Sequence, residues 1–197
     1  MPTMSVVEQA FCRSAPWRRF AGSTVLPWAL QDVQLAGDVL EIGGGSGVMA
    51  EHTMRRFPEL RMTVTDFDPK MVAMATRRLA SWPNAVAAPA DVTALPFAEH
   101  SFDAVVSYLM LHHVIEWEAA IREVARVLRP GGTFVGYDLD DTRLADWTHR
   151  LDGSPYRLIA AEDLTAALVG EGLEVAELRR GLGHHVVRFV ARRPALD

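Results

Sequence analysis

The sequence predicts an α/β fold: a doubly wound, mostly parallel seven-stranded sheet with one antiparallel strand and helices on both faces. Three observations lead there. Strand-length apolar runs alternate with helix-length stretches after an N-terminal segment, the pattern of βαβ units feeding a parallel sheet. The first run breaks into a glycine-rich turn that opens a helix. The last two strand candidates are joined by the loop Arg180–His184, short enough for an antiparallel hairpin.

The elements follow in order. Strand one is Asp38–Ile42, with the acidic Glu41 near its end and glycines at alternate positions beyond it, Gly43, Gly45 and Gly47. A Cβ there would block the tight turn and keep a ligand from the backbone. Helix Gly47–Arg56 follows, then strand Arg61–Asp66. Asp68 before Pro69 is the expected cap of helix Pro69–Ala80, because proline suits the first helical turn. Strands Ala85–Ala90 and Phe102–Ser107 precede helix Trp117–Leu128, which Arg129-Pro130-Gly131-Gly132 stops and turns into strand Thr133–Leu139. A helical region at about 142–151, a helix Ala161–Gly170 and the strands Leu173–Arg179 and His185–Arg192 complete the reading.

Bulk properties narrow the class. At 197 residues the chain fits a single domain, residues 1–197, that needs neither metal nor disulfide to build a core. A net charge of −5 argues against an electrostatic grip on nucleic acid. The single cysteine, Cys12, forms no intramolecular disulfide and no metal cluster, which suits a reducing cytoplasm. No uncharged run approaches membrane-spanning length, so neither a signal peptide nor an anchor is expected. Arginine-rich composition with Lys70 as the only lysine points to a GC-rich bacterial genome.

In open parallel sheets, ligands bind at the carboxyl ends of the strands, near the point where strand order reverses. The glycine turn permits two registers there. One is Glu41-x-Gly43-x-Gly45-x-Gly47; the other starts at Gly45 and satisfies the dinucleotide fingerprint G-x-G-x-x-G/A, ending at Ala50. Asp66, ending strand two, sits where an acid would hold both hydroxyls of a ribose in either case. A helix cap is the alternative role for Asp66, but Asp68 is better placed for that.

The next strand ends carry Asp91-Val92-Thr93-Ala94-Leu95-Pro96-Phe97, then Ser101-Phe102-Asp103, then Ser107 to Val114 with its Leu111-His112-His113, then Arg122-Glu123-Val124 and Leu128 to Gly132. Over about Asp38–Leu139 this order resembles the class I S-adenosylmethionine-dependent methyltransferases, in particular a small-molecule branch with an LPF…SFD…LHH pattern. The resemblance implies a Rossmann-like methyltransferase fold and fixes the register on Glu41, Gly43, Gly45 and Gly47. It implies that Asp66 holds the ribose diol, Asp91 accepts from the adenine amine, and Phe67 and Val92 sandwich the ring. Glu41 would position the cofactor's amino group, and the Ser107 carbonyl would accept another of its protons. Core packing is the alternative for Phe67 and Val92. By the same likeness, residues 1–35 form an N-terminal helical lid, 36–139 the cofactor-binding core, and 140–197 the C-terminal helices and hairpin. The lid would use Trp17, Arg18, Arg19, Phe20 and Trp28, with Arg13 or Arg19 pairing the cofactor carboxylate; a helix packed on the sheet edge is the alternative.

The implied reaction is methyl transfer to oxygen, nitrogen or carbon of a small organic acceptor, leaving S-adenosylhomocysteine. In-line displacement at an activated methyl depends mainly on proximity and orientation, and needs a base only when the nucleophile is protonated. The catalytic residue is therefore open, with His112, Tyr108 and Asp138 as candidates; His113 and Tyr137 lie nearby. A helix-start role weighs against the histidine pair, and a solvated acidic turn with Asp140 and Asp141 against Asp138. His184 and His185 read as turn residues, and no metal site is expected. The absence of Asn/Asp-Pro-Pro-Tyr/Phe after strand four, and of a cysteine nucleophile for cytosine, favours a metabolite over nucleic acid. Residues 1–35 and 140–160 would roof the pocket. Two other readings stand: a cofactor-binding regulator or partner subunit without turnover, and an NAD(P)-binding oxidoreductase. The acceptor, the methylated atom and the oligomeric state are not encoded legibly.

Overall fold

The computed structural model describes residues 15–142, 155–181 and 183–195. The expected helix at 142–151 falls almost wholly outside the described residues, as do Cys12, Arg13 and the side chains of Trp17 and Arg18.

Seven strands form one sheet: β1 (Asp38–Ile42), β2 (Arg61–Asp66), β3 (Ala85–Pro89), β4 (Phe102–Tyr108), β5 (Leu128–Leu139), β6 (Glu174–Gly181) and β7 (Val186–Arg192). Their spatial order is β3-β2-β1-β4-β5-β7-β6. Pairings from β3 through β5 are parallel, and β7 runs antiparallel to both β5 and β6. The doubly wound sheet with one reversed strand is thus as the sequence predicts. Order reverses between β1 and β4, and open sheets of this kind bind their ligands in the crevice at the carboxyl ends of such strands.

Two cores cover the two faces. On one, α5 (Trp117–Val127) and α6 (Ala161–Gly170) pack on Leu40, Ile42, Val105 and Phe134. Trp117, Ala120, Ile121, Val124 and Val127 are buried at helical spacing, which gives α5 one continuous apolar stripe. On the other face lie α3 (Val48–Arg56), α4 (Pro69–Leu79) and the N-terminal helical stretch, over Val39, Met62, Val64, Val106 and Val135. Strand alternation assigns side chains to these faces. Glu41, Asp66, Tyr108 and Tyr137 share the α3 side, while Asp138 shares the α5 side with Phe134.

The N-terminal stretch comprises α1 (Ala15–Phe20), a π-helical turn (Ala21–Val25) and α2 (Leu26–Leu30). Its Ala21, Val25, Leu26, Ala29 and Leu30 are buried in the second core, so this part packs on the sheet while Arg19 and Phe20 stay exposed. Arg188 of β7, itself buried, donates to the Ala29 carbonyl at 2.8 Å and pairs with Glu177 at 2.7 Å. A cation thereby satisfies a carbonyl at the helix end.

Several strand bounds shift by one or two residues, and the largest difference from the sequence reading is the start of β5. Helix α5 ends at Val127, but β5 begins at once: Leu128 pairs with Phe102, and a register shift precedes the pairing of Thr133 with Ala104. Pro130-Gly131-Gly132 is an irregularity inside the strand, with Gly131 at φ +80° donating to the Arg193 carbonyl at 2.9 Å. Among the described residues no helix is long and apolar enough to cross a membrane.

Candidate functional site

The glycine turn leaves β1 at the reversal point. Gly43 and Gly45 both hold positive φ, +60° and +54°, for different steric reasons. A Cβ on Gly43 would come within 2.5 Å of Met110, whereas a Cβ on Gly45 would project into open space. Gly43 therefore serves close packing, and Gly45 leaves a bare stretch of backbone facing the crevice. Gly47, at φ +75°, caps α3.

Asp66 is tied to this turn. Its Oδ2 accepts the Gly45 N–H and its Oδ1 the Asp68 N–H, both at 2.9 Å. Each oxygen keeps further acceptor capacity. Burial pushes its carboxyl above the usual range despite those donors. Asp68 itself caps α4 by accepting the Lys70 N–H at 2.8 Å, which leaves Asp66 clear of that task.

Glu41 is buried beneath the turn, 1% exposed, and its Oε2 has no hydrogen-bond partner. Burial, with Asp66 adding repulsion, pushes its carboxyl up to about 8. The Tyr108 hydroxyl is buried within electrostatic reach of Glu41 and against Thr53, and neither hydroxyl makes a well-formed hydrogen bond. Burial and Glu41 raise the Tyr108 phenol well above its usual value. Tyr137 packs at 6.1 Å from Tyr108 and edge-on at 5.3 Å to Trp28.

The remaining expected cofactor residues line the same rim. Phe67 is an exposed aromatic, 41% accessible, whereas Val92 is 3% accessible and belongs to the core under α5. Asp91 takes the Thr93 N–H and hydroxyl on one oxygen, Oδ1, in a local turn. Ser107, next to last in β4, lies opposite Gly136, where a Cβ would collide with the Ser107 carbonyl, and the Ser107 hydroxyl is buried without a partner. Next along, Leu109 holds φ +58°, a left-handed conformation unusual for a branched residue.

A corrected reading concerns Asp138. It is not part of a solvated acidic turn: Asp138 is fully buried and Asp140 nearly so, leaving Asp141 alone exposed. Asp138 Oδ1 lies 2.5 Å from His112 Nδ1, and its Oδ2 accepts the Leu111 N–H at 2.7 Å. Burial raises the Asp138 carboxyl, but the imidazole and the Leu139 and Leu111 amides outweigh it and hold it below the usual range. Leu111–His113 does form a short 3-10 turn, and the His113 ring lies 4.0 Å from that of His112. The pairing spans two strand ends and escaped sequence reasoning; its only trace is a histidine after β4 and an acid ending the adjacent β5.

Asp140 binds Arg180 at 2.6 Å and the Ala161 N–H at 3.2 Å. With Thr142, Glu162 and His184 it borders a cleft of about 380 Å³ beside the end of β5, distinct from the glycine turn. His184 is exposed and His185 meets Thr142 at 2.9 Å. No cluster of His, Cys, Asp or Glu among the described residues could hold a metal.

Several motif residues lie away from the crevice. Glu123 accepts the Leu95 N–H at 2.7 Å while Arg126 donates to the Leu95 and Phe97 carbonyls, strapping the loop after β3 to α5. Asp103 and Arg129 pair at 2.7 Å at the opposite rim of the sheet.

The chain is similar to known proteins in sequence and in fold. Residues 40–136 match the methyltransferase domain family. The chain is 33% identical over 160 residues to malonyl-[acyl-carrier protein] O-methyltransferase of Hahella chejuensis, covering 77% of this chain and 54% of that protein. It is 35% identical over 107 residues to a ubiquinone/menaquinone biosynthesis C-methyltransferase of Desulfotalea psychrophila, covering 52% and 42% respectively. The chain thus spans about half the length of these relatives. In fold it superposes on a SAM-dependent methyltransferase from Aquifex aeolicus with a TM-score of 0.75 at 14% identity, covering 97% of this chain and 100% of that one. Residues 40–136 thus carry a methyltransferase domain, and the chain is similar to the class I S-adenosylmethionine-dependent methyltransferases.

Proposed function

We propose that this protein binds S-adenosylmethionine across the carboxyl ends of β1 to β4 and catalyses transfer of its methyl group to a small organic acceptor, with S-adenosylhomocysteine as product. The observation that carries this reading is Glu41, a buried carboxyl with an orphaned oxygen beneath a glycine turn whose Gly45 backbone is open to the crevice. A carboxyl so placed suits a cationic amino group. Asp66, on the adjacent strand β2 and the same face of the sheet, retains lone pairs for a ribose diol. Phe67 offers an exposed ring face to adenine with Val92 behind it, and Asp91 its second oxygen to the exocyclic amine. Gly43 and Gly47 shape the turn, and the Ser107 carbonyl accepts from the amino group.

The sulfonium supplies an already activated methyl carbon, so the chain's task is alignment and exclusion of water. Where the acceptor is a hydroxyl or carbon acid, His112 is the candidate base: Asp138 fixes its Nδ1 as the donor and Nε2 as the acceptor. Tyr108 is the further candidate on the other face. Residues 1–35 would close over the cofactor, 36–139 hold it, and 140–197, with the cleft at Asp140, wall the acceptor side.

Calorimetry with S-adenosylmethionine, S-adenosylhomocysteine and NAD tests the cofactor. Binding of NAD alone overturns the reading and favours an oxidoreductase. A screen of acceptors for S-adenosylhomocysteine release tests turnover; tight cofactor binding with no release on any acceptor would leave a binding subunit or regulator.

A further inference from the structure

We propose that Glu41 carries a proton in the ligand-free protein and loses it to solvent when an amino-acid-tailed nucleoside docks, so that cofactor binding is coupled to release of one proton. The inference rests on the cofactor reading above and adds the chemistry of a group that reading does not explain: why a carboxyl should stay buried without a partner.

The geometry makes the argument. Glu41 leaves β1 on the α3 face, 1% exposed, and its Oε2 has no hydrogen-bond partner. A Cβ on Gly44 would stand 3.0 Å from its Oε1, so the turn closes directly over the carboxyl. An ionised carboxylate buried in this way needs a cation or several donors, and without them it keeps its proton. Among the described residues the groups facing it from each packed element include no cation paired with it and no donor hydrogen-bonded to its Oε2. Asp66 on β2 is a second acid and repels it. Tyr108 on β4 is a phenol, Thr53 on α3 a hydroxyl, and Tyr137 on β5 lies beyond Tyr108; Arg56 on α3 acts on Tyr108 and does not pair with Glu41. Burial accordingly pushes the Glu41 carboxyl up to about 8.

Docking of an ammonium group reverses the balance. The carboxyl O–H bond breaks, the electron pair stays on Glu41, the proton leaves to solvent, and a carboxylate–ammonium pair replaces a neutral acid. The ligand's ammonium is conserved through the exchange, so charge and protons balance. Asp66 serves the ribose and would be engaged equally by any adenosine, whereas Glu41 answers to the amino-acid tail alone.

That distinction gives the experiment. Titration calorimetry of the wild-type protein is run in buffers of differing ionisation enthalpy between pH 5.5 and 7.5, with S-adenosylhomocysteine and with methylthioadenosine, which lacks the tail. The expected result is close to one proton released per S-adenosylhomocysteine, an affinity rising about tenfold per pH unit, and neither effect with methylthioadenosine. Infrared difference spectra should lose a protonated-carboxyl band with the first ligand only, and Glu41→Gln should remove both signals. Binding of S-adenosylhomocysteine without proton release overturns the proposal, as does equal release with both ligands. Binding of neither nucleoside sinks the cofactor reading itself. The two-ligand comparison needs no variant, so it stands even if Glu41→Gln folds poorly.

Discussion

Along the amino rim of the sheet Asp38, Asp103, Arg61 and Arg129 are partly exposed and mutually paired, whereas along the carboxyl rim Glu41 is buried, Asp66 is half-buried, and neither pairs with a cation among the described residues. At the first rim Asp38 meets Arg61 at 2.5 Å and Arg129 at 3.1 Å, and Arg129 meets Asp103 at 2.7 Å. The Arg61 guanidinium in particular holds the Asp38 carboxyl below its ordinary range, with Arg129 helping against a modest cost of burial. At the second rim burial drives both carboxyls the other way. The same residue types thus close an edge in one place and leave chemistry unfinished in the other. Perturbed carboxyls in a crevice mark a functional site better than the presence of charge does.

The third carboxylate of the upper rim breaks that division, because Asp138 is buried yet fully partnered. Removing it should have the largest effect. Asp138→Ala would strand His112 and the Leu111 and Leu139 amides, at a cost of about 3–5 kcal/mol in stability, read as a lowered urea midpoint at pH 7. The sign with pH follows from its depressed carboxyl. A folded-state value below the unfolded one adds stability above about pH 4, lost as pH falls through the folded value. Wild type should therefore lose stability on acidification below about pH 4 more steeply than the variant. A variant as stable as wild type would place Asp138 with the unfinished carboxyls instead.

Asp66 tests the opposite rule. Asp66→Ala should weaken S-adenosylmethionine binding by about 1.5–3 kcal/mol, roughly 10- to 150-fold, the range for hydrogen bonds to a charged group. Its stability should fall by less, since it frees only two backbone amides beside solvent. Unchanged affinity would remove Asp66 from the site.

Gly45 separates ligand space from backbone strain on the same turn. An added Cβ meets no protein atom, so Gly45→Ala should cost stability about 1 kcal/mol for its left-handed backbone. Affinity should drop further, by about 1–3 kcal/mol, if a ligand fills the space. Thermal melts with and without S-adenosylhomocysteine measure both numbers; equal losses would mean that nothing packs against Gly45.

How much of this was legible in the sequence depends on whether a residue's role is local. The glycine turn, the Asp68 cap and the alternation of strands and helices are written in short windows, and the structure has them at the expected places. The start of β5 is not, because pairing of Leu128 with Phe102 is a tertiary event and Pro130-Gly131-Gly132 looks like a plain break. Asp138 failed for a related reason. With Asp140 and Asp141 beside it the local pattern is that of a wet turn, and only the fold brings His112 against it. Glu123 and Arg126 show the converse, since residues that carry a family likeness turn out to strap a loop.

The smallest effect is expected where charge is densest. Arg129 joins Asp38 to Asp103 and is about a third exposed, so its two ion pairs are screened and gain little beyond the entropy of holding a long side chain. Arg129→Ala should cost no more than about 1 kcal/mol in chemical unfolding, less in high salt, and leave S-adenosylmethionine affinity unchanged. The amide of Asp38, which donates to Asp103 at 2.7 Å, would keep the edge of β1 in register without the guanidinium. A large loss of cofactor affinity in this variant would mean that the two rims communicate through β1 and β4, and the division between a structural edge and a chemical one would have to be redrawn.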